Sequence, residues 1–356
     1  MRVGVVGCGR MGEFHAATCL ADERVRRLDI VDPLGLTDAL RSNRTSWSER
    51  LDGRIDQWDA AIVATSTDQH LPTVRRLLDA GVPVLCEKPA SLHPERTVEL
   101  AELASARGVG LRSGLQRRFD AAFTLARSLV REGRLGSLLW VHSSTRDPSP
   151  PPAAYLRSSG GVFVDMHVHD IDMVSWVLDS PIATVGAFGS AESELGLPTS
   201  GDFGVTTLSM QTASGVMATV TGSRWSPSGY ITGLTVLGLD AEVNVGPDGE
   251  VVLHADGKAS VLSAGIGRNP SGFVHRFSAA YSAEVRSFLE SPMSSSGASW
   301  MDDASAVAVA REAAVAAQST GARRDVGWSS VKRIGPHQVS DSNAVRSIVE
   351  TETTKR

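Results

Sequence analysis

Two hydrophobic rhythms divide this chain. Up to about residue 115, short continuous apolar runs alternate with stretches whose apolar residues recur every three or four positions. The runs are Arg2–Val6, Leu28–Val31, Ala60–Thr65, Val82–Cys86 and Val109–Ser113. Continuous apolar character predicts strands covered on both faces, as in a parallel sheet. Between them, Glu13–Leu20, His70–Ala80 and Pro94–Arg107 are predicted helices; the second has Leu71, Val74, Leu77 and Leu78 on one side. Ser66-Thr67-Asp68 offers a capping start and Gly81 a stop. Strands alternating with helices predict a doubly wound parallel sheet, whose ligands sit at the carboxyl ends of the strands.

From Leu138 the period becomes two. Strands are predicted at 138–142, 183–189, 205–211, 216–222, 232–237, 241–245 and 251–254, several alternating apolar with polar. That is the pattern of an antiparallel sheet with one wet face. Helices follow at Phe273–Leu289 and Ala304–Gln318. Pro148–Pro152 reads as a rigid loop at the rim of a site and Ser291–Ser299 as a surface loop. Residues after 335 are polar and aperiodic, which predicts a frayed tail.

The first strand runs into Gly7-Cys8-Gly9-Arg10-Met11-Gly12, which fits G-x-G-x-x-G. With a strand before and a helix after, this turn lets backbone approach a pyrophosphate, with the helix N-terminus supplying N–H donors. Gly7, Gly9, Arg10, Met11 and Gly12 are therefore candidate cofactor contacts. Asp32 ends the second strand about 20 residues on, where a carboxylate accepts from ribose hydroxyls and repels a 2′-phosphate. Pro33-Leu34 brings no compensating cation, so the expected cofactor is NAD. The fold class is then α/β: an N-terminal Rossmann sheet and a C-terminal α+β domain on a large, mostly antiparallel open sheet. The expected divisions are 1–118 for NAD binding, 119–334 for substrate binding and oligomerisation, and 335–356 as tail.

Composition narrows the function classes. Apolar content of 42% and charged content of 21% are those of an ordinary globular protein. A net charge of −5 gives no reason to expect nucleic acid, and no apolar run approaches the ~20 residues of a membrane span. The chain opens directly into a strand, leaving no room for a signal peptide. Three cysteines without metal-ligand spacing fit a reduced, cytoplasmic setting. Four lysines stand against thirty-one arginines, so each lysine is worth inspecting. Lys88 follows a buried strand and precedes Pro89 at a carboxyl end, beside the expected nicotinamide. There an ammonium would donate to a substrate hydroxyl and favour the alkoxide as it forms.

The densest chemistry is Asp165-Met166-His167-Val168-His169-Asp170-Ile171-Asp172, after Gly160-Gly161. On one helix, Asp165, His169 and Asp172 share a face, and a carboxylate one turn before an imidazole suits general-base work. His167 and His169 would point about 200° apart, so they cannot chelate together, and no third metal ligand accompanies Asp165 and His169. A structural reading suits Asp170 and Asp172, as helix caps. His167 is expected in packing or behind the site, and His15 near the cofactor turn in a structural role.

Taken together, the G-x-G-x-x-G turn, Ala64-Thr65 before His70, Glu87-Lys88-Pro89, and Gly160-Gly161 followed by Asp165-x-x-x-His169 resemble the Gfo/Idh/MocA oxidoreductases. Arg117-Arg118-Phe119-Asp120, Arg146-Asp147-Pro148 and Asp165-Met166 are most similar to inositol 2-dehydrogenases. The resemblance implies Lys88, Asp165 and His169 as catalytic residues, and Thr65, Ser66, His70 and Glu87 beside the cofactor. It implies Arg118, Asp147 and Tyr230 near polyol hydroxyls, and a tetramer, or a dimer, assembled on the open sheet. Val164 and His167 depart from the family pattern. The implied activity is oxidation of a secondary hydroxyl of a myo- or scyllo-inositol-type cyclitol. An aminocyclitol or sugar substrate from an antibiotic pathway is the alternative within the class, and a non-catalytic NAD-binding sensor the alternative outside it.

Overall fold

The computed structural model describes residues 1–51, 55–190, 202–267, 270–294, 300–319 and 324–325. The tail after 335 and most of the serine-rich loop lie outside the described residues. In chain order the first part contains β1 (Arg2–Val6), α1 (Arg10–Ala21), β2 (Arg27–Val31), β3 (Thr45–Ser48), β4 (Ala60–Val63), α2 (Thr67–Asp79), β5 (Val84–Glu87), α3 (Pro94–Arg107) and β6 (Leu111–Gly114). Their order in the sheet is β3-β2-β1-β4-β5-β6, and every pairing is parallel. The order reverses between β1 and β4, which opens a crevice at their carboxyl ends. β1, β4 and β5 are nearly completely buried, as their continuous apolar runs require.

The second part contains α4 (Ala121–Arg131), β7 (Leu138–Arg146), α5 (Ala153–Leu156), α6 (Gly161–Asp165), α7 (Val168–Leu178), β8 (Ile182–Ser190), β9 (Val205–Thr212), β10 (Met217–Ser223), β11 (Ile231–Gly238), β12 (Ala241–Val245), β13 (Glu250–Ala255), β14 (Lys258–Ala264), α8 (Phe273–Glu290), α9 (Trp300–Gln318) and β15 (Arg324–Asp325). Nine strands form one sheet, ordered β14-β13-β12-β11-β7-β10-β9-β8-β15. All neighbours in it are antiparallel except β7 and β10. The inner face, with Val141, Val220, Leu208, Val236 and Val243, is buried in one core with residues of α4, α7 and α9. The outer face carries Thr207, Ser209, Thr219 and Thr221 together with exposed Phe188, Val205 and Met217.

Several elements differ from the expectations. Asp165 to Asp172 is not one helix: α6 stops at Asp165, and α7 starts at Val168 after a break at Met166 and His167. β3, α4, α5, β14 and β15 were not expected. β3 is a polar edge strand and β14 an almost wholly exposed one, so neither has the apolar signal of a buried strand. α4 is capped by Asp120, whose Oδ1 accepts from the amides of Ala122 and Phe123. The two last helices also return to the first part. Val285, Phe288 and Leu289 of α8 join the cluster of Val3, Val5 and Ile30, and Trp300 of α9 joins that of Val63 and Val84. The division at residue 118 is thus one of sequence, while the packing crosses it. No helix among the described residues is long and apolar enough to cross a membrane.

Candidate active site

The glycine turn lies at the carboxyl end of β1. Gly7 has φ +87°, and a Cβ there would meet the Ala64 carbonyl oxygen at 2.6 Å. A Cβ at Gly12 would lie 1.9 Å from the Gly7 oxygen, whereas Gly9 has nothing within 4 Å of its Cβ direction. Gly7 and Gly12 make the turn possible, and Gly9 leaves its outer surface open. α1 begins at Arg10 with no side chain capping it, so its first N–H groups face outward. Asp32 is fixed by the Cys8 amide at 2.6 Å on Oδ2 and the Leu34 amide at 2.8 Å on Oδ1. It makes no ion pair among the described residues, so nothing offsets its repulsion of a 2′-phosphate. Thr65 Oγ1 is buried beside this turn without a partner. These residues fit a dinucleotide pyrophosphate and an unphosphorylated ribose. Arg10 lies over the Phe273 ring, 4.9 Å from its centroid, Met11 packs against the second part's core, and Ser66 stands at the start of α2.

His70, expected beside the cofactor, has both ring nitrogens against backbone carbonyls. Its Nδ1 lies 2.9 Å from the Pro89 carbonyl and its Nε2 3.0 Å from the Thr65 carbonyl. With both nitrogens occupied it ties the loop after β4 to the loop after β5. Burial lowers its pKa against the pull of these carbonyls. Glu87, at the end of β5, pairs through Oε1 with His15 Nε2 at 2.7 Å, and its Oε2 accepts the Lys88 amide at 3.2 Å. Burial alone would raise the Glu87 pKa, but the His15 contact and nearby cations hold it low. His15 is therefore structural, as expected, and supports the backbone of Lys88.

Lys88 Nζ donates to the backbone oxygen of Asp165 at 2.8 Å and lies 3.8 Å from its Oδ1. The Asp165 carboxylate is held from two other sides. Tyr155 donates to Oδ1 at 2.7 Å, and Arg224 to Oδ2 at 3.1 Å. Arg224, which is fully buried, also reaches Asp202 at 3.1 Å, and Asp202 accepts the Val162 amide at the start of α6. α6 is thereby bracketed at both ends by one guanidinium. Asp165 makes no hydrogen bond to His169 among the described residues; the helix break separates them.

His169 Nδ1 is buried without a partner. Burial lowers the pKa of this imidazole well below 6.5, and the charges of Lys88 and Arg117 push it the same way against Asp170. The ring is neutral near pH 7. His167 turns away: it is fully buried, with Nδ1 on Asp170 at 3.0 Å and Nε2 on Thr206 at 2.7 Å. Its ring fills the space over Gly222, where a Cβ would come within 2.2 Å of it. It belongs to the packing behind the site.

The consecutive arginines divide. Arg118 gives all three nitrogens to Asp172 and Asp302, so its expected place against polyol hydroxyls is occupied by an interior ion-pair network. Arg117, given no role of its own in the sequence reading, lies closer to the chemistry. It pairs with Asp170 at 2.8 Å, donates to Thr145, and lies within electrostatic reach of Tyr230. Burial would raise the Asp170 pKa, but Arg117, His167 and Ser143 hold it well below the usual range. Asp147 sits within electrostatic reach of Asp165, Arg224, Lys88 and Tyr230. Its carboxyl takes no hydrogen bond among the described residues and is pushed up to about 6, by burial first and by Asp165 second. Arg224, Tyr155, Asp202 and Arg117 were not legible as site residues. Arg224, Asp202 and Arg117 are drawn in by contacts across 22 to 59 residues, and Tyr155 by one across 10.

Comparison with known proteins places this chain in a family. Residues 1–115 match the family model "Oxidoreductase family, NAD-binding Rossmann fold", and residues 123–244 match the GFO/IDH/MocA C-terminal domain. The chain is 35% identical over 328 residues to the myo-inositol dehydrogenase Hyg17 of Streptomyces leeuwenhoekii, covering 88% of this chain and 96% of that one. It is 30% identical over 298 residues to an inositol 2-dehydrogenase of Rhizobium meliloti strain 1021, covering 81% and 88%. Among solved structures, a myo-inositol dehydrogenase from Corynebacterium glutamicum superposes with a TM-score of 0.76 at 25% identity, covering 92% of this chain and 98% of that one. With both of its domains matched and its relatives covered almost end to end, the chain belongs to the Gfo/Idh/MocA family of NAD-dependent oxidoreductases.

Proposed function

We propose that the protein oxidises a secondary hydroxyl of a cyclitol of the myo- or scyllo-inositol type to the ketone. The observation that carries this reading is the convergence of Lys88, the Asp165 carboxylate and a neutral His169 at the carboxyl end of β5. When bound, NAD⁺ supplies the hydride acceptor; the glycine turn, Asp32 and Thr65 hold it. His169 takes the hydroxyl proton on the unprotonated nitrogen of its neutral ring. Lys88 donates from Nζ to the same oxygen and stabilises the charge that develops there. Asp165, held by Arg224, accepts from a neighbouring ring hydroxyl. Tyr230 and Asp147 line the same space and bind further hydroxyls. Relatives named as inositol dehydrogenases support the substrate class.

The test is NADH production by purified protein from a panel of myo-inositol, scyllo-inositol, glucose and aminocyclitols. Turnover of the inositols above the others supports the reading, and no turnover of any cyclitol overturns it. A second reading is favoured by Asp147. The Asp165 and Asp202 carboxylates have Arg224 and Lys88 against them, and Asp170 has Arg117, but Asp147 has no ion-pair partner among the described residues. An ammonium group on the substrate would supply one. Under that reading the aminocyclitols in the panel outrank the inositols, and Asp147→Asn reverses the ranking.

The outer face of the nine-stranded sheet is the surface on which a second copy would assemble, given its exposed Phe188, Val205 and Met217. A monomeric mass in solution light scattering would overturn that assignment.

A further inference from the structure

Tyr155 stands on a helix of four residues, directly after the proline-rich loop. Its side chain is 47% exposed, yet its hydroxyl reaches inward to Asp165 Oδ1 at 2.7 Å. That is the same oxygen from which Lys88 Nζ stands off at 3.8 Å. The other oxygen is committed to buried Arg224. An ammonium and a carboxylate left to themselves close to about 2.8 Å. Here the shorter contact belongs to a neutral phenol, and the ammonium hydrogen-bonds the Asp165 backbone oxygen instead. Burial and the adjacent Asp165 both raise the Tyr155 pKa, so the phenol keeps the proton it donates.

The geometry points to Tyr155 as a positioning residue: by occupying Asp165 Oδ1 it keeps Lys88 from closing into a full ion pair, and so leaves two of the three Nζ–H groups, not one, free to turn to the substrate oxygen. The inference rests on the reading of Lys88 as the donor to that oxygen. It also gives the rim loop a function, because Pro148–Pro152 fixes the approach of the short helix that carries the phenol. A purely structural Tyr155, serving only to fasten the loop, would act on stability and not through Lys88.

The experiment uses Tyr155→Phe, Lys88→Met and the double variant of the full chain, with NAD⁺ and the best substrate of the panel. The Tyr155→Phe crystal structure is determined in parallel. We expect Tyr155→Phe to lower kcat roughly tenfold with NAD affinity and melting temperature unchanged, and to have no further effect on the Lys88→Met background. In the crystal, Lys88 Nζ moves from 3.8 Å to about 2.8 Å from Asp165 Oδ1. An equal loss in both backgrounds, or an Nζ that does not move in, overturns the inference. If the wild-type protein oxidises no cyclitol, the proposed function fails by itself, and the crystallographic distance still decides the role of Tyr155.

Discussion

The Lys88 ammonium donates to the backbone oxygen of Asp165 and stands farther from its carboxylate, at 2.8 Å and 3.8 Å respectively. The strand end of the nucleotide-binding sheet and the helix end of the second domain are thus joined by one side chain. The reaction proposed above depends on that junction, and its parts can be taken separately.

Removing the ammonium tests it most directly. Lys88→Ala should cut turnover by about 10²–10³-fold, the effect of losing one donor to a developing oxyanion. NAD binding, followed by fluorescence titration, should survive because the glycine turn and Asp32 are untouched. Near-wild-type turnover in this variant would remove Lys88 from the mechanism.

The pH profile reports on His169. The base must be neutral to accept a proton, and its pKa lies well below 6.5. kcat/KM should therefore rise through an acid limb centred below pH 6.5 and then level off. Because the Lys88 charge contributes to the depression, residual activity of Lys88→Ala should show that limb at higher pH. A limb in the same place in both proteins would mean that another group is titrating.

Cofactor choice rests on Asp32. Its replacement by Ala removes both the acceptor for ribose hydroxyls and the repulsion of a 2′-phosphate. The ratio of kcat/KM for NAD⁺ over NADP⁺ should fall at least tenfold. An unchanged ratio would assign selectivity to other residues.

Asp303 offers a test on stability. It is completely buried, accepts the Ala90 amide at 2.9 Å, and its pKa is raised by that burial to about 7. The folded carboxyl keeps its proton up to that pH, while an unfolded one releases it near 3.8. The folded state binds more protons in between, so stability falls as pH rises through that window. Asp303→Asn keeps the acceptor and removes the titration. Its melting temperature should change less between pH 5 and pH 8 than that of the wild type; parallel pH dependence would contradict the assignment.

The buried pair of Arg117 and Asp170 carries a structural cost. Arg117→Met leaves the Asp170 carboxylate buried without its cation and should destabilise the fold by about 3–5 kcal/mol. Denaturant unfolding measures it, and a loss under 1 kcal/mol would mean that His167, Ser143 and Thr145 suffice to hold the charge.

Much was legible in advance because it is local. Alternating apolar runs and helical periods fix the parallel sheet, since a strand covered on both faces must be apolar throughout. The glycines at 7, 9 and 12 follow from what a backbone turn against a phosphate tolerates. Lys88 was marked by its place at a strand end. Period-two alternation gave away the second sheet, but neither its edge strand β14 nor β3 at the edge of the first sheet, because edges exposed to water need no apolar pattern.

Long-range contacts decided the rest. The two histidines of the central segment differ by two positions, yet one is sealed against Asp170 and Thr206 while the other keeps Nδ1 unpaired. Of two adjacent arginines, Arg118 enters an interior network with Asp172 and Asp302, and Arg117 pairs with Asp170 and depresses the His169 pKa. The helix break after Asp165 undid the shared face that a single helix would have given Asp165 and His169. The sequence by itself determined the fold class and the cofactor turn, because those follow from periodicity and from the demands of backbone and charge. Only the tertiary structure decided which carboxylate meets which cation. Arg224, Tyr155 and Lys88 converge on Asp165 from 59, 10 and 77 residues away, and pairing at such separations is set by packing, which local sequence does not encode.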